Sequence, residues 1–237
     1  MSEKKEQKRK WRMSRRGFLI GLGATAGVTA LGVGFGLPAV RLTIAESLDG
    51  AGGPPGSLEA PPTTWFDVLA DNRVRLHVPK VEMGQGIHTA LGQIAAEELE
   101  IAWEQLEVVQ STTDRGPEDQ AGTGASNSVH SVFTPLREAA ATMREMLRAA
   151  AAEELGVAAA DLTVADGVFS VRGDAGRQIS YGELVANSRE WEVPEEAPAL
   201  KPVNSYKIIG QSKQRVDFRQ KLTGEMVYGY DMRVEGM

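Results

Sequence analysis

Residues 74–100 read VRLHVPKVEMGQGIHTALGQIAAEELE and contain the clearest secondary-structure signals of the chain. Apolar and polar residues alternate over 74–78, which predicts a strand with one buried face. A glycine loop follows at residues 83–86. Apolar residues then recur at helical spacing, which predicts a helix over 87–100. The inward positions of that helix are Leu91, Ile94, Ala95 and Leu99. Glu97 and Glu98 are expected on its solvated face, and Arg75 and His77 on the outer face of the strand.

The flanking sequence predicts further strands and helices. A strand is predicted at 65–69, joined to the strand at 74–78 by an Asp71-Asn72 turn, and another strand at 106–109. A polar loop at 111–128 leads to an alanine-rich helix over 135–155, which Gly156 closes. A hairpin within 161–171 turns at Asp166-Gly167, and a short helix that begins at Ser180 and Glu183 runs through Asn187. Met143 and Met146 are expected in the core. The pattern predicts an α+β fold, a mixed sheet with packed helices.

The glycine loop is the first candidate binding site. Gly84 and Gly86 lack side chains, so a ligand can approach the backbone closely. The first N–H groups of the following helix are expected to be unpaired and to favour an anion. Gln85, between the glycines, can donate and accept hydrogen bonds. The loop therefore suits a phosphate, although the spacing alone also fits a plain strand-to-helix turn.

The second candidate is the small-residue loop that leads to the long helix. It carries Thr123, Gly124 and Ser126, which offer further hydrogen bonds to a phosphate. A solvated connector is the open alternative. His88 and His130 are expected to be ordinary imidazoles. No catalytic or metal-ligating set can be assigned from these residues.

Composition and charge exclude several classes of protein. The chain has 237 residues and no cysteine, so it forms no disulfide and supplies no thiolate for zinc or an iron–sulfur cluster. The formal net charge is −6, with a strongly basic segment confined to residues 1–16. The remainder is acidic, which argues against a nucleic-acid partner.

The first 45 residues resemble an export signal. Arg15 and Arg16 precede Gly17-Phe18-Leu19, and residues 17–40 carry no charge. This layout resembles the twin-arginine motif, and a membrane anchor is the open alternative. We therefore expect an exported protein that is periplasmic or anchored facing outside the cytoplasm, with the twin-arginine machinery as a partner.

The predicted organisation has five parts. They are a signal or anchor at 1–45, a glycine- and proline-rich linker at 46–62, an α+β domain at 63–188, a second linker at 189–204, and the beginning of another unit at 205–237.

Three segments together resemble one known family. They are Glu82-Met83-Gly84-Gln85-Gly86-Ile87-His88-Thr89 with Gln93 and Ala96-Glu97-Glu98-Leu99, the Thr123–Ser128 loop, and the closing pattern of Gly210, Arg215, Asp217, Lys221, Thr223, Gly224, Tyr228, Asp231 and Gly236-Met237. The chain resembles the molybdopterin-binding large subunit of the xanthine dehydrogenase and aldehyde oxidase family, in the branch of the isoquinoline 1-oxidoreductase beta type. The closing pattern resembles the start of that family's hammerhead domain.

The resemblance implies a molybdenum hydroxylase. Its substrate would be an N-heteroaromatic compound or an aldehyde, with water as the oxygen source. It implies a molybdopterin cofactor, in dinucleotide form, held by Gly84, Gln85 and Gly86 and by Thr123, Gly124 and Ser126. It also implies a small [2Fe-2S] subunit as partner.

The chain departs from the family in length. Family large subunits are several hundred residues longer, and the general-base glutamate near their C-terminus has no counterpart here. We therefore expect this chain alone to be inactive, as a truncated reading frame or with a complementary chain that supplies the remainder. Two alternatives stay open: a non-catalytic exported module that binds a phosphorylated ligand, and a membrane-tethered assembly protein.

Overall fold

The computed structural model describes residues 58, 60–119, 122–186, 191–194 and 198–236. The predicted export signal, residues 1–45, lies outside the described residues. Where the structure describes the chain, no helix is both long and apolar enough to cross a membrane.

A three-stranded mixed sheet lies beside the glycine loop. Its strands, in spatial order, are β1 (Phe66–Val68), β2 (Val74–Val78) and β3 (Leu106–Gln110), with β1 antiparallel and β3 parallel to β2. The Asp71-Asn72 hairpin is confirmed, and Asn72 takes a left-handed φ of 64°. The predicted first strand was one residue too long at each end, since Trp65 ends a helical turn, α1 (Pro62–Trp65), and the strand stops at Val68.

Helix α2 (Ile87–Leu99) connects the parallel strands β2 and β3. Its predicted inward residues are all buried, which confirms the helical period. The helix ends because Glu100 adopts a left-handed conformation with φ of 53° and its N–H bonds back to the last turn.

The long helix α3 (Ser128–Leu155) packs against α2. The predicted start at Pro135 was wrong, because the helix begins seven residues earlier and contains that proline. Val132, within the added turns, is fully buried, and its burial offsets the backbone hydrogen bond that Pro135 cannot donate. Gly156 closes the helix as predicted, and Met143 and Met146 are core residues.

A second sheet follows α3 and is wholly antiparallel. It consists of β4 (Leu162–Ala165), β5 (Val168–Val171) and β6 (Asp174–Ser180). Asp166 and Gly167 both have positive φ, as the predicted tight turn requires. Helix α4 (Tyr181–Ala186) begins at the predicted capping box, in which Glu183 accepts hydrogen bonds from the N–H and hydroxyl of Ser180.

The described residues after 197 contain one further α-helix, α5 (Phe218–Thr223). With its mixed sheet, its antiparallel sheet and its packed helices, the described part of the chain has the predicted α+β fold.

Candidate functional site

The glycine loop joins the end of β2 to the start of α2. Gly84 has a φ of 102° and Gly86 a φ of 84°, conformations that side-chain-bearing residues rarely adopt. A Cβ on Gly84 would meet no atom within 4 Å, so the backbone there faces open space. The two glycines therefore allow the turn, and Gly84 leaves its backbone open to solvent.

Glu82 organises the loop from inside. Its Oε1 accepts hydrogen bonds from the N–H groups of Gly84 and Gly86 at 2.8 and 2.9 Å, and its Oε2 accepts one from His88 at 3.3 Å. The prediction of unpaired first-turn N–H groups was wrong for His88, because the Glu82 carboxylate accepts from it, and the same carboxylate also pairs the N–H groups of Gly84 and Gly86 just before the helix.

Those contacts also set the ionisation of Glu82. Burial acts to raise the pKa of Glu82, but the three N–H donors and the nearby Arg215 guanidinium outweigh it and hold the pKa below its usual range. Glu82 is therefore an anion at neutral pH, and it occupies the place predicted for an external one.

Gln85 is exposed and bonded to its own loop. Its Nε2 donates to the Val81 carbonyl at 2.8 Å, and its Oε1 accepts from the Met83 N–H at 2.5 Å. An amide nitrogen carries two N–H groups, and the contact with Val81 uses one of them. The other N–H can donate to a ligand without disturbing the loop.

The structure brings the two predicted loops together. The Val81 N–H donates to Thr123 Oγ1 at 2.8 Å, and Lys80 Nζ donates to the Gly122 carbonyl at 2.7 Å. Lys80 also pairs with Asp119 at 2.6 Å, and both side chains are almost fully buried. Sequence reasoning did not identify this ion pair, because nothing in the local pattern distinguishes Lys80 from a surface lysine.

The rest of the second loop is exposed. Gly124 and Ser126 lie on the surface just before α3 begins. Ala125 and Ser126 have φ of 51° and 57°, an uncommon left-handed pair for residues with side chains. Thr123 has its own hydroxyl proton to donate, and Ser126 presents a hydroxyl to solvent.

A third element reaches the glycine loop from far along the chain. Arg215 Nη1 donates to the Gly84 carbonyl at 2.9 Å, and Nη2 donates to Glu82 Oε1 at 3.2 Å. Arg215 also forms a two-bond pair with Asp217, which Lys221 joins at 2.6 Å. The Arg215 hydrogen bond, assisted by Lys221, lowers the pKa of Asp217 despite partial burial.

An open cleft of 490 Å³ lies beside this cluster. Its lining includes Glu82, Met83 and Gly84 on one side and Gln220, Lys221 and Tyr228 on the other. Met83 is 68% exposed at the edge of the loop. The glycine loop therefore borders a concave surface with both polar and apolar walls.

His77 and His88 both form contacts within the protein. Within the described ranges, no group of three or more histidine, aspartate or glutamate side chains is placed to hold a metal ion. His88 Nε2 bonds to the Lys80 carbonyl at 3.0 Å. His77 lies on the predicted face of β2, on the same side as Arg75 and Asp67, but it is buried there, and its Nε2 lies 2.7 Å from Asp67 Oδ2.

The acidic pair of α2 is also buried. Glu97 and Glu98 have 1% and 0% of their surface exposed, so the prediction of a solvated face was wrong. Glu98 pairs with Arg137 at 2.7 Å and lies 3.4 Å from Arg144, both on α3. Glu97 pairs with Lys201 at 2.6 Å. Buried carboxylates are tolerated because cations from distant parts of the chain neutralise them.

The sequence matches one family profile over most of its length. The profile describes a molybdopterin cofactor-binding domain and matches residues 1–232. This range includes both candidate loops and Arg215.

Several relatives are similar over most of this chain. The beta subunit of isoquinoline 1-oxidoreductase from Brevundimonas diminuta is 32% identical, covering 95% of this chain and 32% of the relative. A nicotinate dehydrogenase subunit of Pseudomonas putida KT2440 is 37% identical, covering 73% of this chain and 14% of the relative. The membrane-bound aldehyde dehydrogenase [pyrroloquinoline-quinone] of Gluconacetobacter polyoxogenes is 33% identical, covering 95% and 28%. The chain thus spans less than a third of the length of these relatives.

Among solved structures, quinoline 2-oxidoreductase from Pseudomonas putida 86 is 26% identical with a TM-score of 0.42. The match covers 51% of this chain and 15% of that one.

Proposed function

The chain belongs to the family of the molybdopterin cofactor-binding domain, and from this we propose that it forms the cofactor-holding part of a molybdenum hydroxylase, an oxidoreductase subunit. The observation that carries the proposal is the contact between the two loops. Val81 and Thr123, 42 positions apart, are joined by one hydrogen bond, which supports a shared binding surface formed by the two loops.

The residues present fit such a cofactor. A phosphorylated pterin needs hydrogen-bond donors and close approach to the backbone. Gln85 keeps one amide N–H to donate, and the hydroxyls of Thr123 and Ser126 add two more donors. Gly84 and Gly124 leave space where a Cβ would meet nothing within 4 Å. The N–H groups of Gly84, Gly86 and His88, which are bonded to Glu82, are not part of this donor set.

In this proposal the protein holds and orients, and the cofactor supplies the redox chemistry. When bound, molybdenum would provide the centre at which water-derived oxygen is transferred and two electrons are accepted. Gln85, Gly84 and Gly86 would contact the pterin from one loop, and Thr123, Gly124 and Ser126 from the other. Lys80 and Asp119 would keep the loops in register through their buried ion pair.

The finer parts of the proposal concern substrate, partners and location. Two relatives are named for N-heteroaromatic compounds and one for an aldehyde, which supports those two substrate classes. Because the chain has no cysteine, electrons would leave through a separate [2Fe-2S] subunit. We also propose the dinucleotide form of the cofactor, a hammerhead-like unit from residue 205 completed by further sequence or a complementary chain, and twin-arginine export.

Cofactor binding is tested by metal and pterin content. The full chain is produced in a host that makes the molybdenum cofactor, and molybdenum per chain is measured by mass spectrometry, with pterin measured by fluorescence. We expect both to co-purify, and Gln85→Ala to lower the content roughly tenfold, as expected for loss of a hydrogen bond to a charged or polar ligand.

The matched control is Gln178→Ala, an exposed glutamine of β6 far along the chain from both loops. It should leave the molybdenum content unchanged. Pterin-free and molybdenum-free wild-type protein would reject the proposal, and binding of a phosphorylated ligand without molybdenum would favour the non-catalytic module.

Export is tested by the arginine pair. Replacing Arg15 and Arg16 with lysine should stop a folded reporter from reaching the periplasm, whereas Arg12→Lys should not. Export of the double variant at the wild-type level would exclude the twin-arginine route.

A further inference from the structure

One face of α2 is covered by a segment from late in the chain. Thr89, Gln93 and Glu97 are spaced four residues apart, so they lie along one face of the helix. Each contacts residues 198–217, which we call the strap. Thr89 Oγ1 accepts from the Val216 N–H at 3.2 Å, and Gln93 Nε2 donates to the carbonyls of Ile208 and Gln211 at 3.0 and 2.9 Å.

The buried carboxylate of Glu97 fixes the middle of the strap. Its Oε2 accepts from three successive N–H groups, those of Lys207, Ile208 and Ile209, at 2.8, 2.6 and 3.1 Å. Such a nest of N–H donors around one buried carboxylate is a strong, geometrically specific contact. The strap therefore has a fixed position along α2.

Lys201 fixes the beginning of the strap. Its backbone N–H donates to Glu98, and its Nζ lies 2.6 Å from Glu97 and 3.0 Å from Glu100. Burial acts to lower the pKa of Lys201, but these carboxylates outweigh it and raise the pKa above its usual range. The strap is thus held by charges that have been removed from water, where unpairing is costly.

Arg215, near the end of the strap, lies against the glycine loop. Its guanidinium bonds to the Gly84 carbonyl, to Glu82 and to Asp217. A Cβ on Gly86 would lie 3.4 Å from Arg215 Nη1, so the guanidinium packs directly over the loop. The Arg215 side chain is 34% exposed, which leaves it accessible for substitution without a cavity in the core.

We propose that Arg215 is a positioning residue for the glycine loop. It acts through Glu82 and the Gly84 carbonyl and does not contact the cofactor itself. Glu82 accepts hydrogen bonds from the N–H groups of the loop. Arg215 neutralises the charge of Glu82 and donates a hydrogen bond to the Gly84 carbonyl, which directly precedes Gln85. The orientation of Gln85 therefore depends on a residue 130 positions later in the chain. That the loop holds a cofactor rests on the proposed function; that Arg215 shapes the loop does not.

Amide hydrogen exchange on the full, cofactor-free chain tests the proposal. Arg215→Met should raise the exchange rates of the Gly84, Gly86 and His88 amides by roughly tenfold, because local opening exposes them. Arg215→Lys should give an intermediate rate, since it keeps the charge and loses the two-pronged geometry. The control is Arg219→Met, an exposed arginine on α5, which should leave these amides unchanged.

The exchange rates of the loop amides in Arg215→Met either support or overturn the positioning role. Unchanged loop exchange in Arg215→Met overturns the proposal, and so does faster exchange that extends equally to the buried turns of α3, since that indicates general destabilisation. If Arg215→Met does not fold, Arg215→Lys alone decides by the same loop amides.

Molybdenum content of the same variants separates the two proposals. Loop amides that respond in a chain that never binds molybdenum would reject the proposed function and keep the role of Arg215. Loop amides that do not respond in a chain that binds molybdenum would reject the role of Arg215 and keep the proposed function.

Discussion

At the scale of a single residue, the pKa of Glu97 is set by the partners of its carboxylate. Burial acts to raise its pKa, but the Lys201 hydrogen bond and three backbone N–H donors of the strap outweigh burial and lower the pKa. None of these partners is close in sequence. The local pattern of α2 therefore predicted the position of Glu97 in the helix but not its burial.

The lowered pKa makes a prediction about stability and pH. A carboxylate with a depressed folded pKa stabilises the fold above its unfolded pKa, about 4.3 for glutamate, and that contribution is lost as pH falls through the folded value. Glu97→Gln should reduce the free energy of unfolding by about 3 kcal/mol at neutral pH, and the difference from wild type should shrink below about pH 4.3. Urea unfolding at several pH values measures both.

The control for this prediction is Glu104→Gln. Glu104 is exposed at the end of the same crossover, and its replacement should change the free energy of unfolding by less than about 0.5 kcal/mol at every pH. A Glu97→Gln variant as stable as Glu104→Gln at neutral pH would contradict the account of the buried pair.

At the scale of elements, close backbone approach decides how α4 packs. Gly182, near the start of α4, lies over the β1–β2 turn, and its N–H donates to Asn72 Oδ1 at 3.1 Å. A Cβ there would lie 2.6 Å from the Ala70 carbonyl oxygen and 2.7 Å from the Asn72 nitrogen. These are backbone atoms, so they cannot move aside as a flexible side chain would.

Gly182→Ala should therefore destabilise the protein. Overpacking of this kind costs roughly 1–3 kcal/mol, which exceeds the gain of about 1 kcal/mol in helix propensity from alanine. Thermal and urea unfolding measure the net loss. Gly176→Ala is the matched control, since its Cβ would make only an ordinary 3.4 Å contact, and a loss as large in that variant would contradict the packing argument.

The bounds of the β2–loop–α2 unit and of the long helix α3 were predicted from the sequence with different accuracy. The β2–loop–α2 unit was predicted almost to the residue, because its periodicity and its glycines are local signals. The start of α3 was not, because a proline normally marks a helix beginning, whereas here the helix continues seven residues before Pro135 with Val132 buried against the core.

At the scale of the whole molecule, the strap joins elements that are far apart in sequence. Glu97 and Glu98 connect α2 to the strap, and Glu98 also connects α2 to α3 through Arg137. Because these buried charges cannot separate without large cost, α2, α3 and the strap should unfold together.

This cooperativity can be tested by removing a cation of the buried cluster. Lys201→Met leaves Glu97 without its cation and should lower the urea midpoint of unfolding by the same amount in tryptophan fluorescence and in circular dichroism, which report packing and helix content. Lys207→Met is the control, because Lys207 is 72% exposed and lies 3.8 Å from Glu100; it should shift neither midpoint appreciably. Midpoints that separate between the two probes would contradict a single cooperative unit.

Residue patterns were sufficient to predict the α+β class, the glycine loop between β2 and α2, the two hairpin turns and the likeness to a molybdopterin-binding family. These follow from local period, turn chemistry and motif, which act over a few residues. The folded structure was needed to show that Glu82 accepts from the N–H groups of the loop, that Glu97, Glu98 and Lys80 are buried, and that Arg215 contacts Gly84. Burial and charge pairing between distant positions depend on which segments pack against each other in the folded chain. A local sequence pattern does not encode this packing.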